Sequence, residues 1–216
     1  MRVAIVDYGS GNLRSAEKAF ARAAFERGIR AQIIVTSEPD EICRSDRIVL
    51  PGVGAFKDCR DGLYAIKGLH AALDEQVRAK NKPFLGICVG MQLMATIGLE
   101  FGETPGLNWI AGLVRRIEPI PPTLKVPHMG WNSLEPSRRH SLLAGIERNG
   151  TAGHAYFVHS FELVVDDPAD IIATTEYGGA VTAAVARDNM AGTQFHPEKS
   201  QLLGLNLIGN FLEWRP

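Results

Sequence analysis

Cysteine is scarce and unpaired: the 216 residues hold three, Cys43, Cys59 and Cys88, odd in number and far apart. With no C-x-x-C pair, neither a disulfide framework nor a zinc knuckle is expected, and a reducing compartment is. Neither sign of charge is in excess. The 23 Lys and Arg against 24 Asp and Glu leave no overall field to draw the chain to nucleic acid or a membrane surface. The doublets Arg115–Arg116 and Arg138–Arg139 come nearest to a basic patch and read as solvated surface. No hydrophobic run has the length to cross a bilayer. The opening "MRVAIVDYGSG" has four apolar residues before Asp7, too few for the core of a signal peptide. The cytoplasm is therefore the expected compartment. The six histidines form no convincing ligand set, so no metal and no organic cofactor is expected. Internal repeats and low-complexity segments are also missing.

What is present is ordinary globular material, 45% apolar and 22% charged, enough for one large domain spanning 1–216. "RVAIVDY", "AQIIVT", "RIVLPG" and "PFLGIC" read as strands. A helix opened by Ser10-Gly11-Asn12, a short helical stretch at "SEPDEI" and a long helix over 58–81 separate them. The second half is β-rich, with strands expected at "LVRRIEP", "HAYFVHSFELVV", "DIIATTEYGG", "AVTAAVARDN" and "MAGTQFH". "SLLAGI" reads as a short helix, "SQLLGLNLIGNFLEW" as an amphipathic one, and the Pro-rich "EPIPPTLKVPHMGWN" as an irregular functional loop. The expected fold is α/β: an open, mostly parallel sheet with helices on both faces and a β-rich second half.

In "FLGICVGMQL" Cys88 sits between Gly86 and Gly90, where a buried strand passes into Met91, Leu93, Met94 and Ile97 at helical spacing. This is the layout of a nucleophile elbow with sulfur in place of oxygen; a buried cysteine at a tight turn has the same pattern. A thiolate needs a base and a group to orient it. "QFHPE" offers His196 and Glu198 just past another strand, with a proline to stiffen the loop. The helix N-terminus and a nearby imidazolium would both favour the anion. Acyl transfer also needs donors for an oxyanion. The Val89 N–H follows the nucleophile, and "PGVG", Pro51 to Gly54, can bring a second backbone segment close. Each piece has a plainer reading: a core histidine, a Glu198–Lys199 surface pair, a strand exit.

Taken together, Gly86 to Gln92, His196-Pro197-Glu198 and Pro51 to Gly54 resemble the triad (class I) glutamine amidotransferases. Those enzymes hydrolyse the glutamine side-chain amide through a thioester and release ammonia. "DYGSGNLRSAEKAF", "LPGVGAF", "VPHMGWN", "HAYFVHSF" and "QFHPEKS" narrow the resemblance to the glutaminase subunits that serve histidine biosynthesis, and they cover the chain from end to end. The resemblance implies Cys88, His196 and Glu198 as catalytic residues, with Gly52, Val53 and Val89 forming the oxyanion site. It places glutamine on Gln92, Glu100 and the backbone of His159, Ser160 and Phe161. Asn12, Met129, Trp131, Tyr156 and Lys199 would face a partner, a (β/α)8 cyclase subunit completing a heterodimer. Ammonia would pass to that cyclase through a sealed interface.

The resemblance also implies control, with the "PGVG" donor misdirected until the partner's site fills, so that Gly52→Ala should alter partner-stimulated activity more than basal activity. Three departures stand out: "ATIGLEFGE" lacks an acidic run, "GLNWIAG" replaces a Gly-Leu-Gly, and "EPIPPTLKV" is unusually rich in proline. The same triad would serve amidotransferases of the anthranilate, aminodeoxychorismate or surface-sugar type, or a stand-alone γ-glutamyl hydrolase. It would also look the same in a catalytically silent binding protein.

Overall fold

The computed structural model describes residues 1–121, 123–146 and 153–216. Its first half runs β1 (Arg2–Val6), α1 (Leu13–Glu26), β2 (Gln32–Thr36), α2 (Pro39–Arg44), β3 (Arg47–Gly52), α3 (Phe56–Ala65), α4 (Leu69–Asp74), β4 (Phe84–Cys88) and α5 (Val89–Gln92). Short strands β5 (Ile97–Gly98) and β6 (Thr104–Pro105) follow, then β7 (Gly112–Arg116), β8 (His128–Ser133) and β9 (Glu135–Pro136). The chain continues with β10 (His154–His159), β11 (Phe161–Val165), β12 (Ile171–Glu176), β13 (Ala180–Arg187), β14 (Met190–Thr193) and α6 (Gln201–Glu213).

Eight strands make the main sheet, in the order β2-β1-β3-β4-β14-β13-β12-β9. The first five are mutually parallel and the last three add antiparallel. Every residue of β3 and β4 is buried, as their unbroken apolar runs require of strands covered on both faces. One cover comes from α1 and α6. Phe20 meets Phe211 edge-on at 6.2 Å, and Arg27 ties the pair by bonding Glu213 Oε2 at 2.6 Å and Asn210 Oδ1 at 2.8 Å. Each such buried aromatic contributes about 1.5–3 kcal/mol. A two-stranded sheet, β10-β8, and a four-stranded one, β11-β7-β5-β6, complete the β structure.

Four sequence expectations need correction. The long helix over 58–81 is broken: Ile66 is extended, Gly68 turns left-handed at φ 82°, and a π turn closes Glu75–Ala79. The helix after Cys88 lasts four residues rather than reaching Ile97. There the carbonyls of Leu93 and Met94 are taken by the N–H groups of Leu107, Trp109 and Ile110 at 2.7–3.0 Å, which leaves nothing to extend a helix. Leu93, Met94 and Ala95 are buried on all sides, so their spacing marks no single apolar face. "HAYFVHSFELVV" is two strands that part at Ser160 and join different sheets, β10 with β8 and β11 with β7. The "PHMGWN" end of the supposed irregular loop is strand β8, fixed by its pairing with β10; residue 122 of that loop lies outside the described residues.

Candidate active site

Two registers in the main sheet decide what surrounds Cys88. Gly52 of β3 lies opposite Cys88 of β4, and on the other side Thr193 of β14 lies opposite Ile87. The segments after β3, β4 and β14 therefore leave the sheet together, carrying Val53, Val89 and His196.

The glycines around the cysteine are required by contact. A Cβ on Gly90 would lie 1.7 Å from the Leu50 carbonyl oxygen, and one on Gly86 would lie 2.5 Å from the Gly90 oxygen. The elbow folds back on itself and against β3 with no room for a side chain. Cys88 itself sits at φ 55°, ψ −112°, a left-handed conformation that costs an L-residue of order 1–3 kcal/mol.

His196 and Glu198 flank Pro197 in a tight turn after β14, and their side chains are 2% and 3% exposed. His196 Nδ1 bonds Glu198 Oε1 at 2.8 Å, while His196 Nε2 and Glu198 Oε2 have no hydrogen-bond partner. Burial opposes protonation of His196, but the Cys88 thiolate and the Glu198 carboxylate more than offset it and raise its pKa to about 9. Because Nε2 makes no bond of acceptable geometry, the sulfur acts on the ring as a neighbouring anion. The turn is anchored from behind. His196 N–H donates to Tyr156 O at 3.0 Å, and the Ser200 hydroxyl donates to His196 O at 2.6 Å.

A cavity of about 310 Å³ opens in front of these groups. Cys88, His196, Val53, Val89, Gln92 and Glu100 line it, together with His159, Ser160, Phe161 and Lys199. Gly52 and Glu198 do not: each stands behind a residue that does. Gln92 Nε2 donates to Phe161 O and to Gln194 Oε1, both at 3.0 Å. Glu100 Oε2 accepts the Phe56 N–H at 2.8 Å, serving as a cap for α3, whose own N-terminal residue, Ala55, has none to offer.

The Val53 N–H is occupied, bonded to Ser10 Oγ at 3.1 Å. Beneath it the Tyr8 hydroxyl donates to Pro51 O at 2.7 Å, and Cys59 Sγ lies 3.2 Å from Ser10 Oγ. Burial raises the pKa of both Tyr8 and Cys59. Gly52 has no room for a side chain, because a Cβ there would lie 2.7 Å from both Gly90 N and the Tyr8 hydroxyl. Gly54, at φ 95°, has nothing within 4 Å of the same position.

Trp131 of β8 pairs across the strands with Tyr156 of β10, their rings 5.7 Å apart. Lys199 Nζ lies 5.6 Å from the Tyr156 ring centre. Met129 and Trp131 are 62% and 48% exposed, and Asn12 is exposed at the start of α1. On the opposite face of β8, His128 is stacked between Phe157 and Tyr177 at 4.7 and 4.0 Å. Its Nδ1 lies 3.1 Å from His159 Nε2, and burial lowers the pKa of both rings to about 4. Ser10, His128 and Gln194 were not expected at the site from the sequence, although each lies inside a stretch that was quoted for it. Once the stretch is known to be a strand, the two-residue period of its backbone turns His128 inward, opposite Met129 and Trp131.

Comparison with known proteins gives a consistent answer. The glutamine amidotransferase class-I family matches residues 4–213. Curated relatives from several organisms carry the name "Imidazole glycerol phosphate synthase subunit HisH". The one from Agrobacterium fabrum is 61% identical over 100% of both chains, and the one from Mesorhizobium japonicum 59% over 100% of both. The Caulobacter vibrioides relative is 56% identical over 99% of both. Among solved structures, a glutamine amidotransferase has a TM-score of 0.71 at 18% identity, covering 98% of this chain and 97% of its own. A glutamine amidotransferase from Thermotoga maritima has a TM-score of 0.57 at 18% identity, over 92% of this chain and 76% of its own. These two show the fold alone.

Proposed function

The chain belongs to the class-I glutamine amidotransferase family, and from that membership we propose that it is the glutaminase subunit of an imidazole glycerol phosphate synthase in histidine biosynthesis. It hydrolyses glutamine to glutamate and ammonia, acting as one amidotransferase domain over its whole length. The full-length likeness to relatives named as subunits of that synthase favours this reading over the anthranilate, surface-sugar and stand-alone alternatives. One observation carries the chemistry: Cys88 and His196 line a single cavity, and Glu198 bonds the imidazole from behind.

The Cys88 thiolate attacks the side-chain carbonyl carbon of glutamine, forming the C–S bond as the carbonyl electrons move to oxygen. The N–H groups of Val89 and, after rearrangement, Val53 hold that oxyanion; each such donor contributes a factor of about 10² to 10³ in turnover. His196, protonated near neutral pH, gives its Nε2 proton to the leaving nitrogen. The C–N bond breaks, ammonia departs, and a thioester remains. His196 then takes a proton from water, whose hydroxide displaces the sulfur and restores the thiolate–imidazolium pair. Glu198 fixes the ring through Nδ1. Both hydrogens of the Gln92 amide are spent on protein acceptors, so only its oxygen is left to receive the ammonium of the substrate, beside Glu100.

In this reading the partner is a (β/α)8 cyclase, which consumes the ammonia. It docks over Asn12, Met129, Trp131, Tyr156 and Lys199, the last of which lines the cavity, to form a heterodimer. An exposed Trp131 against a half-buried Tyr156 with an adjacent cation has the composition of an interface anchor. We place the enzyme in the cytoplasm: among the described residues no helix is long and apolar enough to cross a membrane, and the three cysteines are unpaired.

The test is glutamate release from glutamine by the chain alone and with the cyclase and its nucleotide ligand. A large ligand-dependent rise, abolished in Cys88→Ala, is expected. Flat activity on mixing would refute the partner, and activity surviving in Cys88→Ala would refute the nucleophile.

A further inference from the structure

A buried amide lies against the sulfur of Cys88, and nothing in the mechanism above employs it. Gln194 is fully buried, one residue past the end of β14, and its Nε2 lies 3.6 Å from Cys88 Sγ. We propose that Gln194 is a positioning residue for the Cys88 thiolate, its amide locked by Gln92 so that an N–H, and never the oxygen, faces the sulfur. The inference rests on Cys88 being the nucleophile.

The orientation of a glutamine amide must be settled by its neighbours, since its oxygen and nitrogen have nearly the same shape. Here one neighbour is free of ambiguity. The backbone carbonyl of Phe161 can only accept, and it lies 3.0 Å from one end of the Gln92 amide. That end is therefore the Gln92 nitrogen. The same nitrogen directs its other hydrogen to Gln194, 3.0 Å away, so the Gln194 oxygen must be turned toward Gln92. The Gln194 nitrogen is then left facing the sulfur. Flipping Gln194 would set nitrogen against nitrogen at one end and oxygen against a thiolate at the other. Both errors would be buried, where an unmatched polar group costs most.

Phe161 O is itself held on its other side. His159 Nδ1 lies 2.9 Å from it and must donate, since a carbonyl cannot. His159 Nε2 then accepts from His128 Nδ1, and His128 Nε2 accepts from Asn132 Nδ2 at 3.2 Å. The carbonyl that fixes both glutamines is thus fixed from strand β8, the strand that carries Met129 and Trp131.

An N–H directed at the sulfur favours the thiolate over the thiol, and it holds the anion on the side away from the Gly52 strand exit. The titratable groups facing Cys88 are His196 across the cavity and Tyr8 and Cys59 beneath the elbow. Substitution at Gln194 leaves all three in place.

The test uses the full chain with its cyclase partner and two variants of similar volume: Gln194→Met, which removes the donor, and Gln194→Glu, which sets an acceptor against the sulfur. Iodoacetamide alkylation of Cys88, followed by mass spectrometry, reads the thiolate without any contact to glutamine. Loss of a hydrogen bond to a charged group predicts alkylation about tenfold slower at neutral pH in Gln194→Met. kcat should fall by a similar factor with KM little changed, and Gln194→Glu should be slower still. Unchanged alkylation in variants that melt within a few degrees of the parent, or a loss confined to KM, would overturn the proposal. If the variants do not fold, the parent protein decides. In ¹⁵N-labelled protein one Gln194 side-chain proton should resonate downfield and move upfield in Cys88→Ala; a stationary resonance overturns the proposal. If glutaminase activity survives complete labelling of Cys88, the assignment of the nucleophile has failed, and this inference with it.

Discussion

Ser10 and Val53 hold each other at two points: the Val53 N–H donates to Ser10 Oγ at 3.1 Å, and the Ser10 hydroxyl donates to Val53 O at 2.6 Å. One serine thereby occupies both the N–H and the C=O of Val53, the residue expected to supply the second oxyanion donor. In this conformation the donor is spent.

Ser10→Ala is accordingly predicted to raise glutamate release by the isolated chain several-fold and to reduce the stimulation given by the partner. Both follow from freeing one donor whose worth is about 10² or more in turnover. Steady-state assays with and without the cyclase check this, and an unchanged or lower basal rate would contradict it.

Gly52 and Gly54 should respond differently, and the crowding around Gly52 argues for an equal loss in both rates rather than for the larger effect on stimulated activity expected from the sequence. Gly52→Ala drives a methyl into Gly90 N and the Tyr8 hydroxyl. It should lower stability by about 1–3 kcal/mol and reduce basal and stimulated rates alike. Gly54→Ala meets no atom but strains a residue at φ 95°, so the ratio of stimulated to basal activity should change. Urea melts and paired rate measurements separate the two.

His196 titrates from about 9 because two anions face it. Folding is thus favoured in full below pH 6.5, where the unfolded imidazole is also charged, and this contribution is lost as pH rises through 9. Turnover should fall over the same alkaline range as the proton for the leaving nitrogen disappears. Cys88→Ala removes one anion, so NMR of the imidazole ring should show a midpoint below 9; one that stayed in place would contradict the ion pair. Glu198→Gln should lower it too and cost on the order of 10²–10⁴ in turnover.

The buried pair His128–His159 acts at the other end of the scale. Both rings are held neutral to about pH 4, whereas the unfolded chain binds their protons near 6.5. Stability should therefore decline as pH falls from 6.5 toward 4. His128→Phe preserves the stack on Phe157 and Tyr177 but leaves His159 Nε2 without its donor, for a loss of about 1–3 kcal/mol. It should also flatten the acid limb of the urea midpoint measured against pH.

The parallel half of the sheet was legible because each strand is an unbroken apolar run between helical stretches, and the elbow because glycine brackets Cys88 at a strand end. Legibility failed where distant partners decide. Leu93 and Met94 have helical spacing, yet their carbonyls are claimed by residues more than a dozen positions later. "PHMGWN" shows no clear alternation of its own and becomes a strand only beside β10. The residues of the expected site were readable as residue types. The two hydrogen bonds between Ser10 and Val53 and the fixed sense of the two glutamines depend on the orientation of single atoms, which no spacing in the sequence records.

The backbone at Cys88 suits glycine better than any residue able to attack a carbonyl. Cys88→Gly should consequently melt higher than Cys88→Ala, the difference amounting to about 1 kcal/mol or more. The nucleophile is thus carried at the one point of the elbow where the chain would rest more easily without a side chain, and what offsets that strain in the active protein is the charge the sulfur offers to His196.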